Sequence, residues 1–95
     1  MLTIEQISKL LSDVAGEFDI KRIVLFGSYA DGRNTPESDV DLLVEFNSHS
    51  VSLLTIIAVK YRFEEVLHTE VDIIHAPLEE GALIRPERLV EIYAA

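Results

Sequence analysis

Asp39 and Asp41 stand two residues apart in the run Asp39-Val40-Asp41-Leu42-Leu43-Val44. Residues two apart on a strand point to the same face, so a strand here sets the two carboxylates side by side. Two anions so placed, in a segment otherwise made of Val and Leu, raise each other's energy, and neither can move onto a loop to escape. A cation between them removes that cost. The nearest basic residues along the chain are Arg33 and the Lys21-Arg22 pair. A divalent metal satisfies paired carboxylates more completely, and hard oxygen ligands select Mg²⁺ or Mn²⁺. For a lone Asp-x-Asp, an edge strand showing its aspartates to water is the plainer account.

Gly27-Ser28 weighs against that plainer account, because it ends the preceding apolar run and is followed by ten residues and then Asp39-x-Asp41. A glycine lets the backbone approach a ligand closely, and a serine hydroxyl with free amides at the start of a helical turn suits a phosphate. A phosphate site and a metal site would then lie on adjacent strands. From average residue frequencies, the two dipeptide patterns at one fixed spacing have chance odds on the order of one in a thousand in a chain of this length.

The elements that must position these residues can be read in order. Thr3 with Gln6 matches a capping box, and Ile4, Ile7, Leu10, Leu11 and Val14 recur at helical spacing up to Gly16, which predicts a first helix. Ile20 to Phe26 reads as a mostly buried strand, Tyr29-Ala30 as a short helical turn, and Asp31 to Ser38 as an exposed loop dense in turn formers. Asp39 to Phe46 is the second strand, and Ser52 caps a second long helix running to about His68. Glu70 to His75 reads as a third strand, Pro77 breaks it, and Leu78 to Tyr93 reads as one or two short helices interrupted at Pro86. Strands alternating with helices around one core make an α/β or α+β domain, with the short connection between the first two strands favouring an antiparallel pair.

Composition narrows the function classes. Ninety-five residues give room for one domain, spanning 1–95, and its 48% hydrophobic and 26% charged content is that of a folded chain rather than a disordered one. Eight Lys plus Arg against seventeen Asp plus Glu leave a net charge of −9, a field that repels nucleic acid and anionic membranes. Direct nucleic-acid binding is therefore not expected. The absence of Cys removes thiolate nucleophiles and cysteine metal sites and fits a reducing compartment. The first residues lack the pattern of a secretory signal, and the longest nearly apolar stretch, Val51 to Val59, is far short of the ~20 residues of a membrane span. A cytoplasmic location is expected.

Taken together, Gly27, Ser28, Asp39 and Asp41, in Leu25-Phe26-Gly27-Ser28-Tyr29-Ala30 through Ser38-Asp39-Val40-Asp41-Leu42-Leu43-Val44, resemble the nucleotidyltransferases of the polymerase-β superfamily. The nearest type is the minimal stand-alone nucleotidyltransferase that serves as antitoxin to HEPN-domain toxins. The resemblance covers nearly the whole chain and implies the polymerase β-like fold, a small mixed sheet flanked by helices. It also implies a third carboxylate on a later strand, which Glu70-Val71-Asp72-Ile73-Ile74 supplies at Asp72. The activity implied is Mg²⁺-dependent transfer of a nucleoside monophosphate, AMP from ATP in the first instance or another nucleoside triphosphate in its place, to a hydroxyl of a partner HEPN protein. Asp39, Asp41 and Asp72 would hold two metal ions, Mg²⁺ or Mn²⁺, and Asp72 could serve as general base. Gly27 and Ser28 would hold the triphosphate.

One position departs from the family. Its small members carry an Arg directly after the Ala of Gly-Ser-x-Ala, where this chain has Asp31, and a basic residue follows only at Arg33. Arg33 is the candidate to take over the phosphate contact; the alternative is a catalytically weak or inactive antitoxin that masks its partner through the segments around Val51–Val59 and Leu83–Tyr93. Either reading makes homo- or hetero-oligomers plausible. Ser38 precedes Asp39 and can bond either neighbouring backbone or a metal-bound water. Tyr29 can stack on a base or cover the core. His49, His68 and His75 are given no role, and Glu64-Glu65 is expected to be a solvated helix face.

Overall fold

A computed structural model describes residues 2–48, 50–76 and 89–95. Helix α1 (Ile4–Ala15) starts at Thr3, whose hydroxyl accepts from the Gln6 amide at 3.1 Å while the Gln6 side chain accepts from the Thr3 amide at 2.9 Å. It ends at Gly16 in a right-handed conformation and runs on into a 3-10 turn, so the left-handed residue that turns the chain is Asp19. Strand β1 (Ile20–Phe26) follows, then the single helical turn α2 (Ser28–Asp31), strand β2 (Val40–Phe46), helix α3 (Leu53–Leu67), strand β3 (Val71–Ala76) and strand β4 (Val90–Ala94). Ser52 caps α3 through a bond from the Thr55 amide.

The sheet order is β3-β2-β1-β4. β1 runs antiparallel to both β2 and β4, and β2 runs parallel to β3, which makes the sheet mixed as the family resemblance implies. Alternation along β2 divides the two faces. Val40, Leu42, Val44 and Phe46 join Ile7 and Leu11 of α1 and Val59, Phe63 and Leu67 of α3 in the main core. Asp41, Leu43 and Glu45 therefore stand on the opposite face, where Leu43 packs with Val24, Phe26 and Ile74. Burying the Val and Leu positions of β2 against the helices is what commits its aspartate to the other side.

Two expectations need correction. Asp39 lies just before β2, because the first ladder link of that region is made by the next residue, with the Val40 amide donating to the Glu70 carbonyl at 2.9 Å. The C-terminal segment is not helical where it is described: Val90–Ala94 is a strand whose residues pair with β1, Val90 with Leu25 and Tyr93 with Ile23. β1 is largely apolar and has an outer edge; a fourth strand satisfies its backbone groups, which the helical spacing of Leu89, Ile92 and Tyr93 does not reveal. Pro77, Pro86 and the helices expected from Leu78 to residue 88 lie outside the described residues.

Candidate active site

The site grows from the end of β1. Gly27 has φ +76° and ψ −154°, a conformation that residues with a side chain rarely adopt. A Cβ placed on it would stand 2.2 Å from Asp41 Oδ2, so the Asp41 carboxylate occupies the space that any other residue at 27 would fill. Asp41 is opposite Phe26 in the antiparallel register and opposite Asp72 in the parallel one. Gly27, Asp41 and Asp72 thus meet across three adjacent strands, with Asp39 at the mouth of the middle one.

The electrostatics follow from this placement. The half-buried Asp41 carboxyl is pushed above the ordinary value of 3.8, chiefly by burial and further by the negative charges of Asp72 and Asp39. Among the described residues, no three His, Cys, Asp or Glu side chains converge closely enough to hold an ion as they stand. The donors nevertheless suit a hard divalent cation, since such an ion would relieve both the burial and the repulsion that oppose the Asp41 charge, and all three side chains offer oxygen.

Ser28 opens α2 directly beside Gly27. The Asp31 amide donates back to the Gly27 carbonyl at 3.0 Å and the Arg33 amide to the Ser28 carbonyl at 2.9 Å, with Gly32 at φ +75° ending the turn. Tyr29 and Ala30 are buried, so Tyr29 takes the core-covering role of its two readings. Arg33 Nη2 lies 2.6 Å from Asp31 Oδ2, and the acid at the departing position therefore holds the basic residue expected to compensate for it. Ser38 closes a turn: its hydroxyl accepts from the Thr35 amide at 2.8 Å and its amide donates to the Thr35 carbonyl at 3.0 Å, which is the backbone alternative.

Two basic residues expected near the aspartates are spent elsewhere. Lys21 and Arg22 pair with Glu45, and Arg22 also with Glu91. Lys60, in the middle of α3, lies within electrostatic reach of Asp72. Lys60 Nζ donates to Glu64 Oε2 at 2.6 Å and to the Val71 carbonyl at 2.8 Å, and the same Glu64 oxygen accepts from the Val71 amide at 3.0 Å. The Lys60 ammonium is held above its ordinary pKa chiefly by the bond to Glu64, whose carboxyl is lowered by Lys60 and by the Val71 amide. Glu64 is thus no solvated bystander, and Glu65, though exposed, pairs with Arg62. The Lys-x-x-x-Glu spacing was the available sign, but such pairs are common on helices with nothing above them. His68 is exposed, and His49 lies outside the described residues.

The broader surface depressions lie beside the acidic group rather than on it. One of about 510 Å³ is lined by Lys60, Tyr61, Glu64, His68, Thr69 and Glu70, and another of about 360 Å³ by Leu2, Gln6, Tyr29, Pro36 and Thr69. Shape alone would point to these; the charges and the Gly27 cradle point to the aspartates, and charge chemistry is the stronger guide.

Comparison with known proteins bears on the family and the fold. Residues 5–93 match the model of a nucleotidyltransferase domain. The protein adenylyltransferase MntA of Thermococcus cleftensis is 36% identical over 78 residues, 78% of each chain. Among solved structures, a chain of a toxin–antitoxin crystallised with AMP-PNP superposes with a TM-score of 0.72 at 21% identity, covering 99% of this chain and 75% of that one. A chain of the complex between a tri-AMPylated Shewanella oneidensis HEPN toxin and an MNT antitoxin superposes at 0.60 and 14% identity, covering 93% and 73%. These two likenesses establish the shared fold.

Proposed function

The chain belongs to the nucleotidyltransferase domain family, and from that premise we propose that it is a protein adenylyltransferase that transfers AMP from ATP to a hydroxyl of a HEPN-domain toxin and so acts as its antitoxin in the cytoplasm. The observation that carries this reading is the Asp41 carboxylate seated against Gly27 and facing Asp72 in register. It is the arrangement in which an anionic cluster on the sheet adjoins a glycine turn suited to phosphate. The MntA relative's name supplies the adenylyl group and the protein acceptor, and the two toxin–antitoxin neighbours supply the class of partner. Residues 1–95 would act as a single minimal domain, with acceptor recognition left to the partner.

In the proposed mechanism Asp39, Asp41 and Asp72 would hold the metal, two Mg²⁺ ions or Mn²⁺ in their place. Bound there, the ions would neutralise the triphosphate and lower the pKa of the attacking hydroxyl. The Gly27-Ser28 turn grips the β- and γ-phosphates, so binding energy remote from the reacting phosphorus aligns it. The acceptor oxygen attacks the α-phosphorus, the bond to the α–β bridging oxygen breaks, and pyrophosphate leaves. Asp72, the most exposed of the three aspartates, accepts the hydroxyl proton. Arg33 completes the phosphate contact when it leaves Asp31.

Calorimetry with ATP tests the site itself. Wild type should bind ATP in the presence of Mg²⁺ and lose that binding in Asp39→Ala/Asp41→Ala; binding unchanged by the double substitution would remove the aspartates from the reading. A second reading, masking of the toxin without chemistry, is favoured by one observation: Leu53, Leu54 and Tyr61 are 71%, 78% and 63% exposed along α3, with Ile57 between them. Full neutralisation of the toxin by the double mutant would favour it. The other masking segment, Leu83–Tyr93, is described only from Leu89 onward.

A further inference from the structure

Among the described residues β3 is an edge strand, and its register decides where Asp72 stands. Since the Val40 amide donates to the Glu70 carbonyl, the parallel ladder turns the Glu70 carbonyl and the Asp72 amide toward β2 and leaves both backbone groups of Val71 facing outward. An edge strand ordinarily leaves such groups to water. Here both are taken by side chains of α3: Glu64 Oε2 accepts from the Val71 amide at 3.0 Å, and Lys60 Nζ donates to the Val71 carbonyl at 2.8 Å. The 2.6 Å bond between Lys60 and Glu64 closes the ring. One acceptor and one donor, fixed relative to each other, thus meet the donor and acceptor of a single residue, as a neighbouring strand would. The Val71 side chain is fully buried, so the residue is held from both sides.

We propose that Lys60 and Glu64 are positioning residues that stand in for a missing strand at Val71 and thereby hold Asp72 in register with Asp41. A slip of one residue would carry Asp72 to the helix-packed face, away from Asp39 and Asp41. An i, i+4 pair on an exposed helix contributes little by itself. What gives this one consequence is that its two charges close on the main chain of the residue before Asp72. The inference rests on the reading of Asp72 as a site residue.

The test compares Lys60→Met, Lys60→Arg, Asp72→Asn and Lys60→Met/Asp72→Asn in the full chain, with the partner toxin and Mg-ATP. Lys60→Met should lower kcat about tenfold or more with KM for ATP changed less than about twofold, Lys60→Arg should restore most of it, and the double mutant should be no slower than Asp72→Asn. Independently of activity, the Asp72 amide should exchange its hydrogen about tenfold faster in Lys60→Met while the amides of β1 keep their protection. Wild-type kcat in Lys60→Met beside an inactive Asp72→Asn overturns the positioning role, as does a loss that multiplies with Asp72→Asn. Full activity in Asp72→Asn overturns the reading of Asp72 instead, and the exchange rates then decide whether the ring holds the strand. Should Lys60→Met not fold, Glu64→Gln, which keeps an acceptor but loses the charge, is expected to give the same split in smaller degree; an unchanged kcat and unchanged Asp72 exchange there would overturn the proposal.

Discussion

Asp41 is in a position that suits chemistry better than stability. Its carboxyl is raised above the ordinary value by burial and by two like charges, so the native state binds its proton more readily than the unfolded chain does. The sign follows: this group's penalty is absent near pH 3.8 and below, and grows as pH rises through its folded pKa. Asp41→Asn should therefore raise the melting temperature of the metal-free protein at neutral pH by about 2–4 °C, a small value because the partly exposed group is screened. The same substitution should abolish transfer and any stabilisation by Mg²⁺. Melting curves with and without Mg²⁺ check this, and a destabilised metal-free Asp41→Asn would mean that the carboxylate is held by bonds that outweigh the repulsion. Gly27→Ala combines a backbone conformation open essentially to glycine alone, costing about 1–3 kcal/mol, with a Cβ pressed against Asp41 Oδ2. It should stay folded at reduced stability and lose transfer activity by about 100-fold, measured below its melting temperature, because Asp41 must move.

At the scale of elements, the short helix α2 and the loop after it decide how the triphosphate is met. Asp31 occupies a place where the small family members carry Arg, and it pairs with Arg33 at 2.6 Å. Asp31→Ala should release Arg33 from that pair and tighten Mg-ATP binding by roughly threefold to tenfold, a range set by an exposed charge-assisted contact. Calorimetry reads it directly, and an unchanged affinity would take Arg33 out of phosphate binding. The elements differ in how legible they were. The Thr3–Gln6 box, the helical spacing after it, the Ile20–Phe26 run and the Ser52 cap are local signals, and the corresponding elements formed within a residue or so of their expected ends. β4 was misread because a five-residue apolar run fits either period, and what decides it is the free edge of β1, a partner seventy residues away in the chain. The nearness of Gly27 and Asp41 was legible from types and spacing, whereas Asp72 entered only through the resemblance to the family. The ring of Lys60, Glu64 and Val71 was not, since it joins a helix side chain to a main chain that sequence does not display.

At the scale of the whole molecule, a −9 chain sets Asp41 and Asp72 side by side on the sheet with Asp39 just before it, and leaves apolar side chains of α3 uncovered. Among the described residues no helix is long and apolar enough to cross a membrane. An acidic surface discourages polynucleotide, and the cations proposed at the site would make a triphosphate acceptable locally. The partner that brings the hydroxyl would be the one that covers the α3 stripe, which joins the two readings of antitoxin action in one complex. Chemistry and masking then differ in a single observable. The most direct measurement is incubation of the purified chain with its HEPN-type partner, Mg²⁺ and ATP labelled at the α-phosphate, with Asp39→Ala/Asp41→Ala in parallel. Label should pass covalently to the partner with wild type and not with the double mutant; a stable complex in which wild type transfers no label would contradict the account.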